Sequence, residues 1–151
     1  MTGKSVPKAF WWALLINAVW INVSEVFRYF AFVMPMMREA FPAEAGVAPM
    51  SLPIFLAWGG WDTVLLLVVT GFGWLFLERF GDTLRNALMA ATCLWAAVFV
   101  LLWLALYNMN LATSAVIAVA LPLAWVEQVV AMLIVRRCRV RANAPSWAVT
   151  V

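Results

Sequence analysis

Four charged residues lie inside long apolar stretches of this sequence, namely Glu25, Arg28, Asp62 and Glu127. Charged side chains in such stretches are rare, and they usually face the protein interior, where they pair or line an ion or ligand pathway. Carboxylates without a full set of counter-charges can take up and release protons. These residue types therefore predict a ligand-binding or proton-coupling site, with Asn17, Asn22 and Trp61 as further candidates.

The first apolar stretch carries most of these polar residues on one side of a helix. The residues at helical spacing on that side are Asn17, Ile21, Ser24, Glu25 and Arg28. Glu25 and Arg28 are three residues apart, so we expect them to form an ion pair. The alternative is that Arg28 extends its long side chain to the nearest lipid headgroups and leaves Glu25 without it.

A second acidic residue, Asp62, follows two glycines in the sequence GGWD at positions 59–62. With a rise of about 1.5 Å per residue, Asp62 and Glu25 both lie roughly 13 Å from the same boundary of the apolar layer. We therefore expect Glu25, Arg28 and Asp62 to form one cluster, whose excess negative charge favours uptake of a proton. The glycines either interrupt the helix at a binding site or permit close packing of helices.

The fourth charged residue, Glu127, lies eight residues before Val135, where the last apolar stretch ends. The adjacent Gln128 adds an uncharged polar side chain. At helical rise, this position is nearer the cytoplasmic boundary than the positions of Glu25 and Asp62. The sequence therefore predicts that Glu127 lies below the cluster, on an exit path.

The elements that position these residues follow from composition. The chain has 151 residues, of which 67% are hydrophobic and 11% charged, against about 45–50% and about 25% in soluble domains. Four stretches reach the roughly 20 apolar residues of a membrane-spanning helix, at about 8–34, 53–77, 87–107 and 111–135. The prediction is an all-α bundle of four transmembrane helices in a single domain, followed by a basic tail at 136–151.

Gly81 is expected to end the second helix and Asp82 to cap the third.

The basic residues near the span ends predict the orientation of the bundle. One side holds eight of them, namely Lys4, Lys8, Arg79, Arg85, Arg136, Arg137, Arg139 and Arg141. The other side holds only Arg38. Because Lys and Arg are enriched in cytoplasmic loops, we expect both termini to be cytoplasmic and the chain to be a multi-pass protein of a cell membrane, such as the bacterial inner membrane.

Several classes of site are not indicated by the composition. The chain has no histidine, which removes imidazole catalysis and most zinc sites. Cys93 and Cys138 are not spaced as a redox or metal-binding pair. We predict no catalytic motif, no metal site, no cofactor and no nucleic-acid partner. The ten tryptophans are explained either by an aromatic pocket for a cation or planar ligand or by anchoring at the membrane interface.

Residues 18–26, AVWINVSEV, place a glutamate in the first of four spans of a small chain. In this respect the sequence resembles the small multidrug exporters. The resemblance covers one helix, and the chain departs from that family in its length, in Asp62 and Glu127, and in a third span that is not glycine-rich.

Three classes of function fit these features. The leading hypothesis is a proton-coupled transporter or small-ligand-binding membrane protein that uses its intramembrane carboxylates. The second is a structural or assembly subunit of a membrane complex, with a homo-oligomer or another membrane protein as partner. The third is a small membrane enzyme whose carboxylate acts as a general acid on a lipid or isoprenoid substrate.

Overall fold

The computed structural model describes residues 7–43, 46 and 50–143. In these residues the chain is all-helical, and it forms four helices that are long and apolar enough to cross a membrane: α1 (Lys8–Ala40), α2 (Leu52–Phe80), α3 (Leu84–Asn108) and α4 (Ser114–Asn143). The prediction of four long apolar helices is confirmed. Lys4 and residues 144–151 of the predicted basic tail lie outside the described residues.

The helices differ from the predicted spans mainly at their ends. α1 continues past residue 34 to Ala40, and α4 begins at Ser114 rather than at residue 111 and continues to Asn143. Residues 136–143 of the predicted tail are therefore helical. α1 continues across Pro35 because a π-helical segment, Tyr29–Val33, precedes it. This wider turn gives the proline ring room beside the preceding carbonyl groups.

The turn between α2 and α3 shows one correct prediction and one wrong one. Gly81 ends α2 with a φ of 97°, a left-handed conformation that glycine adopts without strain. Thr83, and not Asp82, caps α3, because its Oγ1 accepts a hydrogen bond from the backbone N–H of Asn86 at 3.1 Å. The Asp82 carboxylate instead accepts a bond from Arg139 Nε at 2.6 Å.

Two ring contacts show that α1 and α2 run in opposite directions. The rings of Phe10 and Trp74 lie 5.5 Å apart near the start of α1 and the end of α2. The rings of Tyr29 and Trp58 lie 5.7 Å apart near the other ends of these helices. We call the end that holds Lys8, the 81–83 turn and Asn143 the terminal end, and the opposite end the distal end.

Small side chains bring the helices together. α4 packs against each of the other three helices, and α2 packs against α1 and α3. The fully or almost fully buried alanines are Ala13, Ala87, Ala90, Ala91, Ala120, Ala124 and Ala131. Small residues allow close approach where lipid supplies no hydrophobic driving force between helices.

The glycines of α2 do not share one role. A Cβ atom at Gly73 would lie only 2.5 Å from the sulfur of Met132, so this glycine admits α4. A Cβ atom at Gly59 or Gly60 would meet nothing within 4 Å. Close packing therefore explains Gly73, but the packing interpretation of the glycines before Asp62 is wrong.

Candidate functional site

A buried ion cluster joins α1 to α4. Arg28 pairs with Glu25, as the spacing on α1 predicts. Its second nitrogen lies 3.4 Å from Oε2 of Glu127, and its guanidinium carbon lies 5.0 Å from the centre of the Phe99 ring. Arg28 is only 7% exposed, so its side chain points into the bundle and does not extend to a headgroup layer.

The third member of this cluster is Glu127 and not Asp62, which corrects the prediction that Glu127 lies below it. α4 runs from residue 114 to 143, so Glu127 lies thirteen residues from one end and sixteen from the other. That position near the middle of the helix brings it level with Arg28. Gln128 Nε2 donates to Glu127 Oε1 at 3.1 Å, and Trp20 Nε1 donates to the Glu127 carbonyl oxygen at 3.0 Å.

Asp62 lies close to this cluster but is bonded to none of its members. Its side chain is buried, with the residue 6% exposed, and Oδ1 has no hydrogen-bond partner among the described residues. Glu25, Arg28 and Asp62 line the same cavity. The predicted interruption at Gly59 and Gly60 is wrong, because α2 is continuous through them.

A cavity of about 180 Å³ lies between α1, α2 and α3 on the distal side of the cluster. Its polar wall is formed by Asn22, Glu25, Arg28 and Asp62. The aromatic residues around it are Tyr29, Phe30, Phe55, Trp58, Trp61, Phe99 and Trp103. The cavity thus combines carboxylates with ring faces in a layer of the bundle where the helix surfaces are apolar.

Both π-helical segments reach this cavity. Tyr29–Val33 in α1 supplies Tyr29, Phe30 and Val33, and Ala96–Val100 in α3 supplies Phe99. A π segment adds a residue to a helical turn and re-aims the side chains around it, and such segments are frequent at functional sites.

No family model, curated protein or solved structure matches this chain. What the site can do follows from its own charges. Glu25 and Glu127 pair with the guanidinium of Arg28, and the carboxylate of Asp62 belongs to the same cavity wall as Glu25 and Arg28. Fully ionised, the group would carry two excess negative charges, and an uncompensated charge away from water costs several kcal/mol. A proton or a cation can supply the balance.

The uncharged candidates are placed differently from one another. Asn22 lines the cavity, although its side-chain amide donates to the Ala18 carbonyl of its own helix at 2.8 Å. Trp61 also lines the cavity and is 47% exposed. Asn17 lies two turns away, where it donates to Thr70 Oγ1 at 3.1 Å and to the Ala131 carbonyl at 3.4 Å. The structure therefore places Asn17 in a link between helices and not at the cavity.

Sequence reasoning missed most of the aromatic wall. Trp58 lies four residues before Asp62, and Tyr29 lies four residues after Glu25, so helical spacing alone could have placed both beside the carboxylates. Phe99 had no such signal, since no charged residue lies near it on α3. Its approach to Arg28 depends on how α3 packs across the bundle.

A second polar cluster lies at the terminal end. Arg139 Nε donates to Asp82 Oδ1 at 2.6 Å, and its guanidinium carbon lies 4.8 Å from the Trp74 ring centre. Arg136 donates to the Asp82 carbonyl at 2.9 Å, and Asn143 donates to its other carboxylate oxygen at 3.3 Å. These contacts fix the 81–83 turn to the last two turns of α4. From the sequence, Arg136 and Arg139 are expected only to set the orientation of the bundle.

Proposed function

We propose that this chain is a multi-pass membrane protein that binds a small ligand in the cavity between α1, α2 and α3, and that it exchanges protons at the carboxylates beside that cavity. One observation carries the proposal. Asp62 presents a buried carboxylate oxygen without a hydrogen-bond partner in the described part of the chain, at the wall of a cavity. Buried polar groups normally have partners, so a group left free at a cavity is available to a ligand or a proton.

The contrast with Arg139 and Asp82 favours this proposal over a purely structural subunit. Charges that only hold helices in register should be paired, as those two are at 2.6 Å. A charge that serves only to fix the bundle has no need of an adjoining cavity. None of the contacts of the described residues favours the enzyme alternative specifically.

The proposal includes a membrane orientation with both termini in the cytoplasm. Among the described residues, seven basic side chains flank the terminal ends of the helices: Lys8, Arg79, Arg85, Arg136, Arg137, Arg139 and Arg141. Arg38 is the one described basic residue near the distal ends. This excess of basic residues at the terminal end supports an orientation with that end in the cytoplasm. A fluorescent protein fused to the C terminus should fluoresce in bacterial cells, and an alkaline phosphatase fusion at the same point should be inactive; the reverse pattern contradicts it.

Two adjacent glycines allow a matched test of the cavity. Gly59 lines the cavity and Gly60 does not, while both have open space around an added Cβ atom. We expect Gly59→Leu to fill the cavity, and Gly60→Leu to add the same side chain on another face of α2. Benzoate, benzyl alcohol and phenyltrimethylammonium are suitable one-ring probes, because they cover negative, neutral and positive charge.

The measurement is thermal unfolding of the purified chain in detergent with each probe. A ligand that binds the folded state raises its stability by about 2.7 kcal/mol at a hundred times its dissociation constant. At least one probe should raise the melting temperature of the wild type and of Gly60→Leu, but not of Gly59→Leu. Ligand binding at this cavity is contradicted if no probe stabilises the wild type, or if Gly59→Leu responds as Gly60→Leu does.

A further inference from the structure

We infer that the ligand of this cavity is a small organic cation, a protonated amine or quaternary ammonium that carries one ring or a few short alkyl groups. The inference rests on the proposed function and adds the chemical class of the ligand. The cation would lie against the Asp62 carboxylate with its carbon groups against the tryptophan and tyrosine rings.

The charge requirement comes from how the ions of the site are already paired. Arg28 is engaged by Glu25 and by Glu127, whose Oε2 lies 3.4 Å away. Among the described residues, Asp62 makes no ion pair with Arg28, and its Oδ1 has no hydrogen-bond partner. Of the carboxylates at the cavity wall, that of Asp62 is therefore the one without a positively charged partner.

The same pairing argues against an anionic ligand. The guanidinium of Arg28 has carboxylates on two sides and the Phe99 ring at 5.0 Å. An anion entering the cavity would approach Arg28 only while meeting Glu25 and Asp62, which line the same wall. Like charges that meet in desolvated surroundings repel strongly, so this site selects against negative ligands.

The aromatic residues support a cation whose charge is spread over carbon groups. Trp58 and Trp61 line the cavity and are about half exposed, at 44% and 47%, so their rings are not sealed in the packed core. The Tyr29 ring is tilted by 41° to the Trp58 ring, with 5.7 Å between their centres. Ring faces attract cations through their quadrupoles, most strongly for tryptophan, and clusters of such rings recognise quaternary ammonium groups.

The size of the cavity limits the ligand. Its volume is about 180 Å³, and an apolar cavity of about 150 Å³ in another protein holds one benzene molecule. A single ring or a compact alkylammonium therefore fits, while a large multi-ring cation would require the helices to separate. Metal coordination is not suggested, since no group of three or more histidine, cysteine or acidic side chains in the described residues could hold an ion.

The test compares two molecules of the same shape and different charge. Phenyltrimethylammonium is cationic, and tert-butylbenzene replaces its nitrogen with carbon. The binding of radiolabelled phenyltrimethylammonium is measured on the full chain in lipid nanodiscs, with tert-butylbenzene as competitor and empty nanodiscs as the partition control. The wild type should bind the cation at least about tenfold more tightly than its neutral counterpart, a difference expected from one charge-assisted contact.

Asp62→Asn is the decisive variant, and Glu78→Gln is its control. Glu78 lies on the same helix, is exposed and does not line the cavity. Asp62→Asn should weaken binding of the cation about tenfold or more, whereas Glu78→Gln should leave it unchanged. Since Asp62 Oδ1 makes no hydrogen bond with the described residues, Asp62→Asn removes no such contact at that atom and should remain folded.

A tryptophan pair keeps the test independent of Asp62. Trp61→Leu should weaken binding of the cation roughly threefold to tenfold through loss of the ring face, while Trp12→Leu, on the exposed surface of α1, should not. Equal affinities for the two probes, or full cation affinity in Asp62→Asn, would overturn the cation inference and leave ligand binding intact. If neither probe binds and Gly59→Leu has no effect in the melting experiment, the proposed function fails with it.

Discussion

The two aspartates Asp62, inside α2, and Asp82, just beyond its end, show how the halves of this bundle differ. Asp82, just beyond α2 at the terminal end, accepts bonds from Arg139 and Asn143 through its carboxylate and from Arg136 through its carbonyl. Asp62, in the distal half, is as deeply buried as many core residues but has an oxygen without a partner in the described structure. The carboxylate of Asp82 thus connects the 81–83 turn to α4, whereas that of Asp62 has an oxygen without a partner.

Packing follows the same division. In the terminal half, the absence of a side chain at Gly73 lets Met132 of α4 approach α2 closely. Asn17 donates hydrogen bonds to both α2 and α4. In the distal half, Gly59 and Gly60 have open space around them, and aromatic residues surround a cavity. The terminal half holds the helices in register, so the distal half can keep a cavity and an unbalanced charge.

The largest loss of stability should come from replacing Arg28, which joins α1 to α4. Arg28→Met would leave the buried carboxylates of Glu25 and Glu127 without their shared partner. Breaking a buried ion pair by removing one side costs about 3–5 kcal/mol. The free energy of unfolding in mixed detergent micelles measures this loss. The triple variant Arg28→Met, Glu25→Gln, Glu127→Gln should recover most of it; no recovery would show that the charges of this cluster are not coupled.

The two aspartates should respond oppositely to the same substitution. Asp82→Asn weakens a 2.6 Å bond to Arg139 and should lower the free energy of unfolding by about 1.5–3 kcal/mol, the range for hydrogen bonds to charged groups. Asp62→Asn removes a charge without a hydrogen-bonded counter-ion and should leave stability unchanged or raise it. Denaturation of both variants beside the wild type tests the comparison, and a larger loss for Asp62→Asn would reverse it.

Two glycines of α2 test the packing of the terminal half. Gly73→Val places methyl groups where the Met132 sulfur and Val135 already lie, and overpacking of this kind costs about 1–3 kcal/mol. Gly71→Val is the control, because a Cβ atom there meets nothing within 4 Å. Thermal unfolding should show a lower melting temperature for Gly73→Val alone. Equal losses in the two variants would mean that α2 and α4 do not approach closely at this point.

Features that depend on local sequence were predictable, and features that depend on how helices meet were not. The lengths of the apolar stretches were enough to predict the four helices. The three-residue spacing of Glu25 and Arg28 was enough to predict their ion pair. The position of Glu127 along the bundle was predicted wrongly. That position depends on where α4 begins and ends and on how α4 packs against α1. Helix ends also depend on distant contacts, since the last turns of α4 bond to the 81–83 turn.

The cavity itself could be predicted only in part. The carboxylates and Trp61 were identifiable as polar or aromatic residues in apolar surroundings. Asp62 was expected in one cluster with Glu25 and Arg28, whereas Glu127 takes that place and Asp62 Oδ1 has no hydrogen-bond partner among the described residues. No residue type marks the π-helical segments at 29–33 and 96–100, and these segments bring Tyr29 and Phe99 to the cavity wall.

We propose that the carboxylates beside the cavity exchange a proton for a bound cation, and a measurement of proton release on binding tests this exchange. Purified chain in weakly buffered detergent, with a pH indicator present, is mixed with saturating phenyltrimethylammonium. The positive charge should displace a proton from the group formed by Asp62, Glu25 and Glu127 around Arg28, so the wild type should acidify the solution and Asp62→Asn should release far less. Saturation of the wild type by the cation without any proton release would contradict the account.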